Sequence, residues 1–147
     1  MYDAVLVPTD GSDAASAGVT HGLDLAAEFD AVVHALYVVP ESERASIVGS
    51  SGNGGESSVV AAAERAVETV AAAADDRGLD AETEIRTGTP HREILDYAAA
   101  ADVDLVVMAT HGRSGVSRLL SGSVTERVVR KADRPVLVAR RTSKDES

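Results

Sequence analysis

"MATHGRSGVSRLLSGSVTERVV" occupies residues 108–129 and directly follows the apolar run "VDLVV" (103–107). Gly112, Gly115 and Gly122 are set among hydroxyl residues, and a helical pattern starts at the far end with Val124, Val128 and Val129. A nearly continuous apolar run suits a strand covered on both faces. A glycine-rich loop joining such a strand to a helix has the parts of a phosphate site. Backbone amides without a Cβ approach an anion closely, and the first N–H groups of a helix are unpaired. Ser123 and Thr125 add hydroxyls, while Arg113 and Arg118 either approach outer phosphates or pair with the acidic surface. The alternative is that the glycines only turn the chain and Ser123 caps a helix; the complete strand–loop–helix unit favours phosphate. No Lys follows Gly122, so this is not a GxxxxGK[ST] loop, and the usual Lys clamp is absent.

Working outward, apolar and amphipathic stretches alternate along the chain. "AVLV" (4–7), "AVVHALYVV" (31–39), "AETEIRT" (81–87), "VDLVVMA" (103–109) and "PVLVAR" (135–140) are predicted strands. "AETEIRT" alternates Ala81, Thr83 and Ile85 with charged residues, which suggests an edge strand with one wet face. Residues 13–29 carry Val19, Leu23, Ala26 and Phe29 on one stripe, with Ser12 as N-cap. Residues 58–77 carry Val60, Ala63, Val67, Val70 and Ala74, and Gly78 stops the helix. Thr89-Pro90 opens a third helix through Ile94, Leu95 and Ala98; a fourth begins at Gly122-Ser123. The βαβαβαβαβ order predicts an α/β fold, an open parallel sheet with helices on both faces.

The chain of 147 residues reads as one domain, with a mobile Gly/Ser-rich loop at 43–58 and a tail at 142–147. "GNGG" within that loop has no strand before it and the wrong spacing for a nucleotide fingerprint. One Phe, three Tyr and no Trp leave the core to Val, Leu, Ile and Ala. No apolar stretch is long enough for a membrane span, no basic leader precedes the first strand, and no cysteines are present. A cytoplasmic protein is therefore expected. A net charge of −10 without a basic stripe disfavours nucleic acid as a partner. Twelve of the 14 basic residues are Arg, and only Lys131 and Lys144 are Lys. Such an acidic, Lys-poor surface suits a halophilic setting, where molar salt screens self-repulsion.

Ligands of open parallel sheets bind beyond the carboxyl ends of the strands, where the strand order reverses. The first strand ends in Pro8, Thr9 and Asp10, and the fourth in "MATHG". If these strands are neighbours, both loops face one crevice. Asp10 then either helps to hold Mg²⁺ with phosphate oxygens or closes an Asx turn. His111 is beside the loop, where a stabilising hydrogen bond is the simpler role. His34, in an apolar strand, is expected to be a satisfied core histidine. His21 and His91 are expected at the surface. No His/Asp/Glu cluster has metal-ligand spacing, and no nucleophile elbow is present.

"VLVPTDGSDAA", "TGTPHREIL" and "MATHGRSGVSRLLSGSVTERVVRKADRPVLVAR" together resemble the universal stress protein family, over nearly the whole chain except 43–58 and the last few residues. Nucleotide-binding members carry G-x2-G-x9-G-[ST]. Here it runs Ala109-Thr110-His111-Gly112, nine residues, then Gly122-Ser123. Alanine replaces the first glycine, and its methyl is expected to crowd the site. The resemblance implies a five-stranded sheet in the order 3-2-1-4-5 and ATP with Mg²⁺ as cofactors. It implies further that Pro8, Thr9 and Asp10 line the first-strand loop, with Asp10 near adenine, ribose or the metal, and that the backbone of Val38 meets the adenine. Met108, Ala109, His111 and Gly112 would flank ribose and phosphates; Gly122, Ser123, Val124 and Thr125 would hold the phosphates. It also implies a homodimer pairing through strand 135–140.

The function expected is therefore an ATP-binding stress sensor or switch, at most a slow ATPase, because no residue is evident to orient an attacking water. The alternative is a dimeric scaffold of the same fold that works without nucleotide. A PP-loop adenylating enzyme ranks last, since "TDGSDAA" lacks the paired glycines of SGGxDS.

Overall fold

The computed structural model describes residues 2–41, 53–110 and 122–140. In chain order the elements are β1 (Ala4–Pro8), α1 (Asp13–Phe29), β2 (Val32–Pro40), α2 (Asn53–Asp76), β3 (Ala81–Gly88), α3 (Pro90–Ala101), β4 (Leu105–Thr110), α4 (Gly122–Lys131) and β5 (Val136–Arg140). The strands form one sheet in the order β3-β2-β1-β4-β5, with every pairing parallel. The order reverses between β1 and β4, whose register sets Val5 opposite Leu105 and Leu6 opposite Val106.

Strand periodicity divides the core into two layers. Val5, Val7, Val33, Ala35, Leu105 and Val107 face α1 and α2, meeting Leu23, Ala26, Val67, Val70 and Ala74. Leu6, Leu36, Val38, Val106 and Met108 point the other way, toward Ile94, Tyr97 and Ala98 of α3 and Val128 of α4. Both faces of the central strands are dry, which is why their sequences are nearly continuous apolar runs.

Two expectations need correction, those for 43–58 and for the faces of β3. The segment 43–58 is not all linker, because α2 begins at Asn53 and residues 53–58 are its first turns; residues 43–52 lie outside the described residues, as does the tail at 142–147. Thr89 does stand at the N-cap of α3, but its side chain makes no capping bond; Pro90 starts the helix, and Glu93 N donates to the Thr89 carbonyl. On edge strand β3, Ile85 is 37% exposed while Glu84 and Arg86 are half-buried. Arg86 lies over the Tyr97 ring at 5.0 Å and bonds Glu84, so the charged face is the more covered one.

Two helix ends use a device that sequence pattern alone does not signal. Asp30 after α1 and Asp102 after α3 adopt left-handed backbone, at φ 55° and 53°, and donate their N–H groups to Ala26 and to Ala98 and Ala99. Asp reaches this region at modest cost because its side chain is short and polar. Arg134 then donates from Nη1 to the carbonyls of Ala98 and Val103, at 3.0 and 2.9 Å, and so fastens the approach to β5 onto the end of α3.

Candidate functional site

The turn from β1 into α1 satisfies its own amides. Gly11 N donates to Thr9 Oγ1 at 3.1 Å, Ser12 N to Asp10 Oδ1 at 2.9 Å and Ala15 N to Ser12 Oγ at 3.1 Å. Gly11 has φ +78°, which a residue with a Cβ adopts only with strain. Asp10 thus closes an Asx turn, as one of its two sequence readings held, and Ser12 is the N-cap of α1. With those N–H groups engaged, the turn offers side-chain oxygens to the crevice in place of amides.

β2 outruns β1. The last β1–β2 pairing sets Pro8 opposite Leu36, and Thr9 N closes it by donating to the Leu36 carbonyl at 2.9 Å. Strand alternation turns the N–H and C=O of Val38 to the same side as those of Leu36, past the end of β1. The Val38 side chain is buried against the α3 layer. Its backbone edge therefore borders the same crevice as Thr9 and Asp10.

On the other side of the switch, β4 carries Met108 and Ala109 into the core, and α4 returns to the strand's mouth. Thr125, 3% exposed, donates its hydroxyl proton to the Ala109 carbonyl at 3.1 Å. This bond holds the first turn of α4 against the end of β4. Gly122 begins the helix, Ser123 is exposed and Val124 half-buried. The positive end of the helix dipole is thus at the end of β4, the strand next to β1, which suits an anion. Thr125 itself faces protein, a role its type and spacing did not reveal.

The methyl of Ala109 does not point into the crevice. Ala109 sits in the α1 layer with Leu105 and Val107, and a Cβ built on Gly18 of α1 would stand 3.4 Å from the Ala109 Cβ and 3.1 Å from its N. The expected crowding of the site is therefore corrected: the methyl packs under α1, at a point where the helix has no side chain. Gly18 and Gly22, four residues apart on one face, make this close approach possible; at Gly22 a Cβ would fall 2.7 Å from Val7 Cγ2. Two glycines at helical spacing were the signal available in the sequence.

Pro8, Thr9, Asp10, Val38, Met108, Ala109, Gly122, Ser123, Val124 and Thr125 thus gather around one end of the β1–β4 pair. His111, Gly112 and Arg113 lie outside the described residues. Among the described residues no three His, Asp or Glu side chains stand together as metal ligands. His34 is 8% exposed, and its Nδ1 is 2.7 Å from the Tyr97 hydroxyl. Burial lowers its pKa, opposed by Glu82. Burial, then Glu84 and Glu82, raise the Tyr97 pKa against the pull of Arg86. It is the satisfied core histidine expected. His21 is exposed; His91 is half-buried, and desolvation followed by Arg127, Arg92 and Lys131 lowers its pKa. No helix among the described residues is long and apolar enough to cross a membrane.

Comparison with known proteins is consistent with this architecture. The model of the universal stress protein family matches residues 1–140. Universal stress protein MJ0531 of Methanocaldococcus jannaschii is 36% identical over 149 residues, covering 99% of this chain and 86% of its own. Universal stress protein MJ0577 of the same organism is 30% identical, covering 96% of each chain. The solved structure of MJ0577 aligns with a TM-score of 0.80 over 97% of this chain and 98% of that one, at 31% identity. A universal stress protein from Archaeoglobus fulgidus, solved in complex with dAMP, shares the fold at 19% identity and a TM-score of 0.70, over 95% of this chain and 98% of its own. The chain belongs to the universal stress protein family.

Proposed function

With membership of the universal stress protein family as the premise, we propose that this chain binds ATP at the mouths of β1 and β4 and acts as a stress-response sensor or switch. The observation that supports this is the Thr125–Ala109 bond, which holds the amide end of α4 against the end of β4, the strand next to β1. In this reading the amides opening α4 and the Ser123 hydroxyl take the phosphates, joined from the preceding loop by His111, Gly112 and Arg113. Val124 contributes backbone, and Thr125 positions the helix. The outward backbone edge of Val38 meets the adenine edge, with Pro8, Thr9, Met108 and Ala109 forming the walls around base and ribose. Asp10, whose Oδ1 accepts the Ser12 N–H, would meet a ribose hydroxyl or Mg²⁺ with its carboxylate. Mg²⁺, when bound, would neutralise phosphate charge.

The chain supplies groups that hold charge in place, and Ser123 rather than a Lys directly follows Gly122. Hydrolysis is accordingly slow or absent in this account, and the bound state is itself the signal. β5 is the sheet edge and leaves Leu137 and Val138 each 37% exposed, which supports a homodimer paired along that strand. An acidic chain of net charge −10 fits a salt-rich cytoplasm without nucleic-acid partners. Titration with Mg-ATP tests the binding claim, and turnover of several ATP per second would overturn the switch.

A further inference from the structure

A second concavity lies beside the crevice, between α1 and α2. It has a volume of about 430 Å³, within the range of small-molecule sites. Val19 from α1 and Ala62, Ala66 and Val70 from α2 give it an apolar wall, while Ser12, Ser16 and Thr69 place hydroxyls around it. The β1–α1 turn closes one end, where a Cβ on Gly11 would touch the Ala66 Cβ at 3.4 Å.

The charges of α2 are sorted between its two sides. Glu64 and Glu68 line a separate groove toward β3, with Thr83, Glu84 and Ile85. Arg65 alone of the three faces the α1 side and lines the cavity. Among the described residues no ion pair involves Arg65. The one acid in the lining is Asp10, whose Oδ1 already accepts the Ser12 N–H in the turn. In a chain with 24 acids and 14 basic residues, a guanidinium that makes no ion pair among the described residues, at the rim of an apolar cavity, suits an anion.

We propose that this α1–α2 cavity is a second binding site, for a small organic anion with an apolar body, such as an aromatic or branched-chain carboxylate. The apolar part rests on Val19, Ala62 and Val70; the acidic end meets Arg65, beside Thr69, whose hydroxyl proton goes to the Arg65 carbonyl at 2.8 Å. The site lies on the α1–α2 side of the Thr9–Asp10 turn, which it shares with the proposed nucleotide crevice.

The test is a fluorescence titration of the full chain with 8-anilinonaphthalene-1-sulfonate, beside neutral N-phenyl-1-naphthylamine, which has the apolar body without the acid. The sulfonate is expected to bind at one site per chain and to remain bound when Mg-ATP is added. Arg65→Gln, at an exposed position, should weaken the sulfonate about fivefold, the worth of roughly 1 kcal/mol, and leave the neutral probe unchanged. Ala62→Phe, checked for a cooperative melt, should abolish binding of both probes. No sulfonate binding, equal binding by Ala62→Phe, equal loss of both probes in Arg65→Gln, or displacement by Mg-ATP would each overturn the proposal.

Discussion

Gly18 of α1 crosses directly over Ala109 of β4: a Cβ on Gly18 would lie 3.1 Å from the Ala109 N and 3.1 Å from the Met108 carbonyl carbon. The atoms in the way are backbone, which cannot rotate aside. This contact fixes how close α1 comes to the strand that opens the candidate phosphate loop.

Gly18→Ala should therefore destabilise the protein. Its helix propensity gain of about 1 kcal/mol is outweighed by overpacking of about 1–3 kcal/mol against strand backbone. Gly18→Val should be worse. Ala109→Gly, by contrast, should lower stability by about 1 kcal/mol while leaving nucleotide affinity within about twofold, because the methyl points under α1. Thermal melts paired with binding titrations check this; a large affinity gain in Ala109→Gly would put the methyl back in the crevice.

Thr125→Val keeps the shape and removes the donor to the Ala109 carbonyl. The loss of a partner for a buried acceptor is expected to cost about 1–3 kcal/mol. Thr125→Ser keeps the hydroxyl and should recover most of it. If nucleotide affinity falls in Val and returns in Ser, the bond acts by positioning α4. Denaturant midpoints and affinities for both variants provide the measurement.

The His34–Tyr97 pair makes stability fall at both ends of the pH scale. His34 has its pKa lowered by burial, so the unfolded chain takes up the proton first. Its contribution is full above the ordinary value of about 6.5 and is lost as pH falls through the folded value. Tyr97 has its pKa raised by burial and by Glu84 and Glu82, so its contribution is full below about 10 and is lost as pH rises through the folded value. Melting temperature against pH should show a shallower acid limb in His34→Gln and a shallower alkaline limb in Tyr97→Phe. Unchanged limbs would mean that the pair does not set them.

Charge on the exposed strand edge should separate a β5-paired dimer. Val138→Lys, at a residue already 37% exposed, is expected to give monomers in sedimentation at micromolar protein while the melt stays cooperative. A wild-type chain that is already monomeric, or a dimer untouched by the substitution, would exclude β5 as the interface.

Much of the fold was legible because the chemistry is local and repetitive. β2 and β4 read as doubly covered strands since His34 alone interrupts "AVVHALYVV", and its polarity is absorbed by Tyr97. The α1 boundaries were legible from Ser12 and the Val19–Leu23–Ala26 stripe. Asp30 and Asp102 were not, because an Asp in left-handed backbone looks in sequence like any helix-end acid. The crevice was legible in outline through Asp10, Ala109 and Gly122, which lie at strand or helix ends. The direction of the Ala109 methyl was not: it depends on α1 crossing at Gly18, a contact 91 positions away in the chain. Arg65 was equally silent, since only the pairing of α1 with α2 separates it from Glu64 and Glu68.

The central claim is met most directly by calorimetric titration of the wild-type chain with Mg-ATP in molar KCl, beside Gly122→Val. The account expects one nucleotide per chain with a dissociation constant on the order of micromolar. It expects that heat to vanish in a Gly122→Val protein that still melts cooperatively, since a branched side chain at the start of α4 blocks the amides. No heat with the wild type, or undiminished binding by Gly122→Val, would contradict a phosphate site at α4 and favour a dimeric scaffold that works without nucleotide.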